Sequence, residues 1–470
     1  MNRSQPEPCR PGEPTLVRVL GAWDVAGITA GAMLSSAIFL AAAYVPREVP
    51  HPILVILLWV VGGLIAIAGV LSYAELGTMF PEAGGQYHYL KQAFGPLAGF
   101  LFGWTSLVAI QSGGIAYLAV AFGEYLGAFV PFFSAHHVVA SVSLGSWTWQ
   151  PNTAQLAGVG AIALLSAINY FGVRQGAGVQ GFLTVVKVAS LVGLIVAGLW
   201  VPAKATPEWT APLPSGNLLM AGGLAMVAVL GNYDGWYQAT LSTGEIKRPE
   251  RNLPLGMIGG TALVAVIYLL VNWVYFRAMP LAAIGGSERI GEEATTVLLG
   301  PTAGRLMAGA VLVSVFGCIS STIVGASRIG LPMAKDGAFF PWVARIHPRY
   351  HTPTGGIIVL AVWSAVLTVS GTYEQIFTYA VFSSFIFHAA TGAAIIRLRR
   401  RLPDVPRPYR AFGYPWVPLL FIVAMVGLIV NTVIEKPTET GIGIGLVGVG
   451  VVAFYGLRRA YGQGAADRRS

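Results

Sequence analysis

Asp234 is an acidic residue at the centre of an apolar segment, where it stands between Tyr233 and Gly235. Ionisable side chains inside membrane-spanning segments are energetically expensive and usually functional. Three roles suit this carboxylate: contact with a substrate amine, capping of a half-helix, or pairing with another buried group. The sequence alone leaves all three open.

Lys187 is a basic residue about two helical turns into another apolar segment. Burial disfavours a charged ammonium, so the group suits proton binding and release. A fixed cation at this place would equally replace a sodium ion in holding two helices together. The alternative is a structural lysine whose side chain extends to water.

Two apolar segments are interrupted at their middles, one by the Ser-Ser-Ala sequence at 35–37 and the other around Asp234. In a bilayer, unpaired backbone groups are tolerated only where they line a protein cavity. Two such breaks at corresponding places indicate the substrate site of a secondary transporter. Helix starts present free N–H groups, so the first break suits a carboxylate. The alternative is close helix packing through Gly27 and Gly31.

The composition is that of an integral membrane protein. Of the 470 residues, 55% are hydrophobic and 10% are charged, and the mean hydropathy is +0.67. Soluble proteins carry about 25% charged residues. Apolar stretches of about 20 residues predict an all-α fold with about 12 transmembrane helices. The predicted spans are 17–42, 52–79, 97–131, 153–171, 181–201, 217–241, 256–278, 303–330, 355–371, 375–397, 413–434 and 440–457.

The basic residues predict the orientation of the chain. With the N-terminus inside, 22 of the 29 Lys and Arg residues fall on the inner side and 6 on the outer side. This asymmetry follows the positive-inside rule and predicts that the two tails, 1–16 and 458–470, are cytoplasmic. The net charge of +9 then reflects topology, and no nucleic-acid partner is expected. Because the polar N-terminus lacks the pattern of a signal peptide, we expect multi-pass insertion in the cell membrane.

The motifs of other function classes are missing from the sequence. It contains no phosphate-binding loop, no evident nucleophile–base pair and no histidine spacing suited to a metal. We therefore expect neither an ATP-driven pump nor an enzyme, and no cofactor or metal. Cys9 lies in the inner tail and Cys318 in a span, so a disulfide between them is not expected.

Five segments carry distinctive patterns: 72–87, 94–100, 245–254, 327–353 and 407–418. The first reads Ser-Tyr-Ala-Glu-Leu-Gly-Thr-Met-Phe-Pro-Glu-Ala-Gly-Gly-Gln-Tyr. Together they resemble the amino acid–polyamine–organocation (APC) superfamily, especially its branch of L-type and cationic amino acid transporters. The resemblance extends over residues 16–435.

This resemblance implies a LeuT-type fold, in which two inverted repeats of five helices are followed by two further helices. The first repeat would comprise residues 17–201 and the second 202–400. The last two helices would lie within 401–457.

The resemblance also implies which residues form the site. The substrate carboxylate would be held by the backbone of Ser35, Ser36 and Ala37. The amine and side-chain pocket would comprise Met33, Gly231, Asn232, Tyr233, Asp234 and Trp236. Lys187 would occupy the region of a sodium site, as in sodium-independent members, and Ser321 and Thr322 would approach it.

Two positions depart from the family pattern. Many L-type members have a gating aromatic residue where this chain has Gly231. Either another aromatic, such as Tyr233 or Trp236, closes the site, or the pocket admits a larger side chain. Heteromeric animal members bond an accessory subunit through a cysteine after the third span. Residues 131–151 contain no cysteine, so no disulfide-linked accessory subunit is expected.

The leading hypothesis is a sodium-independent secondary transporter of amino acids that works by alternating access. It would act as a proton symporter or as an exchanger of one amino acid for another. The alternative is a transporter of amines or polyamines, in which Asp234 binds the cation. A more distant alternative is a transporter-like receptor that binds an amino acid without moving it.

Overall fold

The computed structural model describes residues 18–34, 36–81, 85–144, 147–171, 176–337, 339–350 and 352–461. Most of the predicted tails, and Ser35 with them, lie outside these ranges. The α-helices are α1 (Ala22–Met33), α2 (Tyr44–Glu48), α3 (Pro52–Met79), α4 (Gly85–Phe94), α5 (Pro96–Thr105), α6 (Gln111–Leu126), α7 (Thr153–Phe171), α8 (Gly176–Trp200), α9 (Leu218–Tyr233), α10 (Pro249–Ala278), α11 (Leu281–Gly286), α12 (Ile290–Leu299), α13 (Pro301–Ala326), α14 (Gly330–Lys335), α15 (Thr354–Ser370), α16 (Tyr373–Arg401), α17 (Trp416–Glu435) and α18 (Pro437–Tyr461).

Shorter elements connect these helices. The 3₁₀ segments are Ser36–Phe39, Ala41–Ala43, Trp236–Glu245 and Pro341–Ala344, and a π-helical turn, Ser106–Ile110, joins α5 to α6. Strands β1 (Val142–Leu144) and β2 (Trp147–Trp149) form a small antiparallel hairpin in the loop after α6, with Val142 opposite Trp149. The sequence analysis did not predict this hairpin.

The helix lengths confirm the predicted membrane fold. Within the described ranges, nine helices are long and apolar enough to cross a bilayer, and Val185–Trp200 and Thr354–Ser370 are shorter apolar helices. The first predicted span is divided between α1 and the short helical segments that follow it. Together these account for the twelve predicted spans, so the protein is an all-helical, multi-pass membrane protein. Its division into two inverted repeats stays a prediction.

Local sequence determines where the helices beside the interrupted segments begin and end. α3 has Pro52 at its first position, where the missing N–H is not needed. At the start of α16, Gln375 N donates to Thr372 Oγ1 at 3.3 Å and Thr372 N donates to Gln375 Oε1 at 3.0 Å. This reciprocal pair is a capping box. Three arginines in the last turn of α16 complement the negative end of its dipole.

α10 packs beside both interrupted segments. α1 lies mainly against α10, whereas α9 lies against α3 and α17. The approach of α1 depends on Gly260 of α10, because a Cβ at that position would lie 2.7 Å from the carbonyl oxygen of Ala26. The two breaks are therefore brought together by α10, which contacts both interrupted segments.

The end of the bundle at which α3 and α16 finish is held by a buried carboxylate. Glu75 is fully buried and accepts bonds from Arg399 Nε at 2.8 Å and Nη2 at 2.6 Å. The backbone N–H of Ala411 donates to the same carboxylate at 2.6 Å. Removing one partner of a buried ion pair typically costs about 3–5 kcal/mol. This cluster therefore ties α3 to α16 and to the loop after it.

A second contact at this end joins α4 to the residue that follows α14. Lys91 Nζ and the hydroxyl of Tyr87 each lie 2.6 Å from Asp336 Oδ2. Burial raises the pKa of Tyr87 above its ordinary value, and the carboxylate of Asp336 raises it further. Tyr87 therefore stays protonated and donates its hydrogen bond throughout the physiological pH range.

Candidate functional site

The first break follows α1. Regular helix ends at Met33, and the chain continues as the 3₁₀ segments Ser36–Phe39 and Ala41–Ala43. The carbonyl oxygens of Ile38 and Phe39 accept bonds from the hydroxyls of Tyr275 at 3.2 Å and Tyr125 at 3.0 Å. The predicted carboxylate cradle thus lies in non-α backbone, with Ala37 buried and Ser35 outside the described residues.

Close packing through the two glycines of α1 was the alternative explanation of this segment. A Cβ placed on Gly27 or on Gly31 meets no atom within 4 Å. Neither glycine is therefore required for contact with a neighbouring helix. The close-packing alternative is wrong, and the break itself is the feature that needs explanation.

The second break falls where it was predicted. α9 ends at Tyr233, Asp234 is extended with φ −58° and ψ 147°, and Gly235 has a φ of 114° before the 3₁₀ segment begins. A positive φ strongly favours glycine. A Cβ on Gly235 would also lie 3.0 Å from the carbonyl carbon and oxygen of Ala32. The two breaks therefore contact each other at Gly235.

Tyr268 of α10 connects the two breaks through its hydroxyl group. The hydroxyl oxygen lies 2.6 Å from the carbonyl oxygen of Met33 and 3.0 Å from that of Asn232. These two carbonyls belong to the last turns of α1 and α9, and both were predicted to face the substrate amine. Sequence reasoning missed Tyr268, because a tyrosine in an apolar helix resembles an ordinary core residue.

Lys187 lies beside the first break. Its side chain is buried, and its ammonium donates to the carbonyl oxygen of Gly31 at 3.2 Å. A cation at the carbonyl end of a helix is favoured by the helix dipole. Ser321 and Thr322 donate to the carbonyl of Cys318 within α13, at 3.0 and 2.8 Å. Their predicted role beside Lys187 stays a prediction.

Asp234 has two partners within the described structure. Its Oδ1 accepts a bond from the backbone N–H of Gly235 at 2.9 Å and lies 3.3 Å from Nε2 of His388. Pairing with a buried group, one of the roles considered for the carboxylate, is therefore present. The bond from Gly235 is local and does not cap the 3₁₀ segment that follows. The side chain of Asp234 remains 25% exposed, whereas that of His388 is 3% exposed.

His388, on α16, was not identified from the sequence. Its Nδ1 lies 2.7 Å from the hydroxyl of Tyr73 on α3. Its ring centroid lies 4.9 Å from that of Trp236. A single histidine far along the chain from Asp234 gives no spacing signal, so only the folded structure shows the sequence of contacts from Tyr73 through His388 to Asp234.

Two polar atoms at the second break are buried without a hydrogen-bond partner among the described residues. They are Oδ1 of Asn232 and Nε1 of Trp236. Buried polar groups are normally paired with protein or with water. These two atoms therefore suit an ordered water molecule or a polar group of a ligand.

The space beside Gly231 is filled from another helix. A Cβ on Gly231 would lie 2.3 Å from Cζ of Phe377 on α16. Phe377 stacks on Tyr373 with centroids 5.9 Å apart and meets Tyr117 edge-on at 5.2 Å. Of the two candidates named from the sequence, Tyr233 bonds instead to the carbonyl of Trp59, at 3.1 Å. Trp236, the other candidate, lies against His388.

Comparison with known proteins shows the family of this chain. A family model described as "Amino acid permease" matches residues 20–454. The chain is an amino acid permease of the APC superfamily. The match confirms the resemblance seen in the sequence and places the permease among transporters rather than enzymes. Its substrates are amino acids.

The permease is also similar to several characterised transporters along most of its length. It is 28% identical to the serine/threonine exchanger SteT of Bacillus subtilis over 436 residues, 91% of this chain and 94% of that protein. It is 29% identical to human b(0,+)-type amino acid transporter 1 over 432 residues, with coverage of 91% and 85%. It is 27% identical to the human cystine/glutamate transporter over 431 residues, with coverage of 91% and 83%. Two of these names specify amino acids, and the amino acids differ: serine and threonine in one, cystine and glutamate in the other.

Proposed function

We propose that the permease moves amino acids across the cell membrane by sodium-independent alternating access, with the substrate held between the two helix breaks. The observation that carries this proposal is the contact of the two breaks at Gly235 and Ala32. Exchange of one amino acid for another is the favoured mode, because one of the similar proteins is named an exchanger. Proton symport through Lys187 is the alternative.

Each break supplies a different part of the proposed site. The backbone of Ser35, Ser36 and Ala37 would bind the substrate carboxylate. The substrate amine would lie near the carbonyls of residues 33 and 231–234, and the carboxylate of Asp234 would face the substrate side chain. The partly exposed side chain of Asp234 supports this placement, because a ligand can reach it.

Sodium independence is supported by the position of Lys187. Sodium ions in proteins are held by oxygen ligands such as backbone carbonyls. Here the ammonium nitrogen of Lys187 donates to the carbonyl oxygen of Gly31 at 3.2 Å. The ammonium would tie α8 to the last turn of α1 in place of an ion. In the alternative mode, the same residue would serve as the proton site.

The orientation and the assembly are part of the same proposal. Both termini would lie in the cytoplasm, since this places 22 of the 29 Lys and Arg residues on the inner side. The permease would work without a disulfide-linked accessory subunit, because residues 131–151 contain no cysteine. The last turn of α16, which is rich in arginine, would then face the cytoplasm.

Uptake into proteoliposomes tests the proposal. Vesicles in sodium-free buffer receive a labelled mixture of amino acids, either with or without preloaded unlabelled amino acids, and with or without an inward proton gradient. Exchange predicts uptake that requires preloading, and symport predicts accumulation driven by the gradient. Lack of uptake under every condition, together with uptake of decarboxylated amines, would overturn the proposal in favour of amine transport.

A further inference from the structure

We infer that His388 sets the charge that Asp234 presents to the substrate, and thereby the preference of the permease between cationic and neutral amino acids. The inference rests on the proposed function, because it concerns the same site. It assigns a specificity-determining role to a residue that does not itself contact the substrate.

The hydrogen bonds around His388 determine where its proton lies. An ionised Asp234 can only accept, so Nε2 of the imidazole carries the hydrogen that faces Oδ1 at 3.3 Å. Nδ1 is then an acceptor, and the hydroxyl of Tyr73 donates to it at 2.7 Å. One neutral imidazole thus satisfies both neighbours, and the His388–Asp234 pair carries one negative charge.

Protonation of His388 changes this charge without a rearrangement of the backbone. A proton taken up from water at Nδ1 makes both ring nitrogens donors, and the hydroxyl of Tyr73 rotates to accept. The imidazolium then forms an ion pair with Asp234, and the pair carries no net charge. Histidine is the side chain whose ordinary titration range lies nearest physiological pH.

The other titratable groups around this pair are tyrosines. Tyr73 of α3 and Tyr237 of the second broken segment face the imidazole directly, and the centroid of the Tyr237 ring lies 5.6 Å from it. Tyr117 of α6 interacts with Asp234, and Tyr89 of α4 interacts with Tyr73. Tyrosines are neutral near pH 7. These tyrosines therefore add no charge to the His388–Asp234 pair near pH 7.

The exposure of the two side chains explains why a substrate would meet the carboxylate of Asp234 and not the imidazole of His388. His388 is enclosed by Tyr73, Trp236 and Tyr237, whereas Asp234 keeps a quarter of its side chain accessible. With neutral His388, the carboxylate attracts a cationic side chain. With protonated His388, this attraction is cancelled, and the affinity for neutral amino acids rises relative to that for cationic ones.

A pair of inhibitors that differ only in charge tests the inference. L-lysine and L-norleucine share the same carbon chain, and only lysine has the side-chain ammonium. Exchange of a labelled amino acid mixture is measured in proteoliposomes with the same pH on both sides, between pH 5.5 and 8.5. For the parent protein, the ratio of the lysine to the norleucine inhibition constant should rise about tenfold as the pH falls.

Three variants distinguish the contribution of His388 to the pH profile from general effects of pH on the protein. His388→Gln keeps a donor for Asp234 but does not titrate, so the ratio should stay low at every pH. His51→Gln is the matched control, because His51 is also buried but bonds to the carbonyl of Ala211, away from the pair. It should keep the parent profile. Tyr73→Phe removes the acceptor for the imidazolium, so the rise of the ratio at pH 5.5 should be smaller than in the parent.

Each outcome bears on the inference. A ratio that is flat in the parent, or equally pH-dependent in His388→Gln, overturns it while amino acid exchange itself persists. If His388→Gln does not fold, Tyr73→Phe decides, and a ratio that rises as far as in the parent overturns the inference. If the parent exchanges no amino acid in the mixture, the proposed function fails and the inference falls with it.

Discussion

Both breaks separate an α-helix from a following 3₁₀ segment, but they differ in their side chains. The first consists of small residues at 35–37, and its nearest charge, Lys187, comes from α8. The second carries its own carboxylate, Asp234, which is paired with His388 of α16. The first break therefore offers backbone groups whose chemistry is fixed, and the second offers a charge that can change.

This difference suggests a division of labour between the breaks. Every amino acid has a carboxylate and an amine, and fixed backbone groups suit features that all substrates share. Side chains differ between amino acids, so a site that discriminates among them needs groups that vary in charge or shape. Asp234 supplies charge, and the Phe377 ring against Gly231 supplies shape.

Removal of the Lys187 ammonium should have the largest effect on transport. Lys187→Ala leaves the carbonyl of Gly31 without its cationic donor. If Lys187 is the proton site of a symporter, uptake driven by an imposed proton gradient should then fall to background. Lys204→Ala is the control, because that lysine is exposed in a loop. Undiminished gradient-driven uptake by Lys187→Ala would show that Lys187 does not carry the coupling.

Alanine substitutions of two glycines, one in the second break and one in α1, should differ in their effect on the stability of the protein. Gly235→Ala places a residue with a side chain in a left-handed backbone conformation, which costs about 1–2 kcal/mol. The added methyl group also lies against the carbonyl of Ala32. The melting temperature of this variant should fall and its transport should be lost. Gly27→Ala, in open space within α1, should leave both unchanged. Equal effects of the two substitutions would contradict the described backbone of the second break.

The contact of Gly231 with Phe377 predicts that two substitutions compensate each other. Gly231→Phe alone introduces a clash with Phe377, and Phe377→Ala alone opens the space beside the break, so each should reduce transport about tenfold. The double variant moves the aromatic ring from α16 to α9 and should recover most of the activity. The coupling energy should be about 0.5–3 kcal/mol, and strict additivity would rule out a shared space.

The smallest expected effect comes from the hydroxyl that connects the breaks. Tyr268→Phe removes the donor for the carbonyls of Met33 and Asn232 but keeps the ring. A hydrogen bond contributes about 1 kcal/mol net, so the KM for amino acid uptake should rise about fivefold. Tyr275→Phe, which removes a donor only from the first segment, is the comparison. Identical effects would argue against a bridging role for Tyr268.

The sequence was sufficient to predict the membrane spans and the places of both breaks. Helix α3 begins and ends at the predicted residues, and Asp234 ends α9 as expected. These features depend on hydropathy and on local backbone preferences, which neighbouring residues express directly.

The contacts between distant helices were beyond prediction from one sequence. His388, Phe377 and Tyr268 all belong to long apolar helices in which they resemble core residues. Their roles arise from packing against segments far away in the chain, and periodicity contains no information about such partners. The same reason explains why the aromatic residue beside Gly231 was sought among its sequence neighbours and was found on α16.

The most direct test of the account is an experimental structure of the permease with a transported amino acid bound. The account predicts that ligand density lies between the two breaks, with the carboxylate against the backbone of residues 35–37, the amine toward the carbonyls of residues 231–234, and the side chain toward Asp234. Density elsewhere in the bundle, with the junction at Gly235 and Ala32 unchanged and unliganded, would contradict the claim that the two breaks form one substrate site.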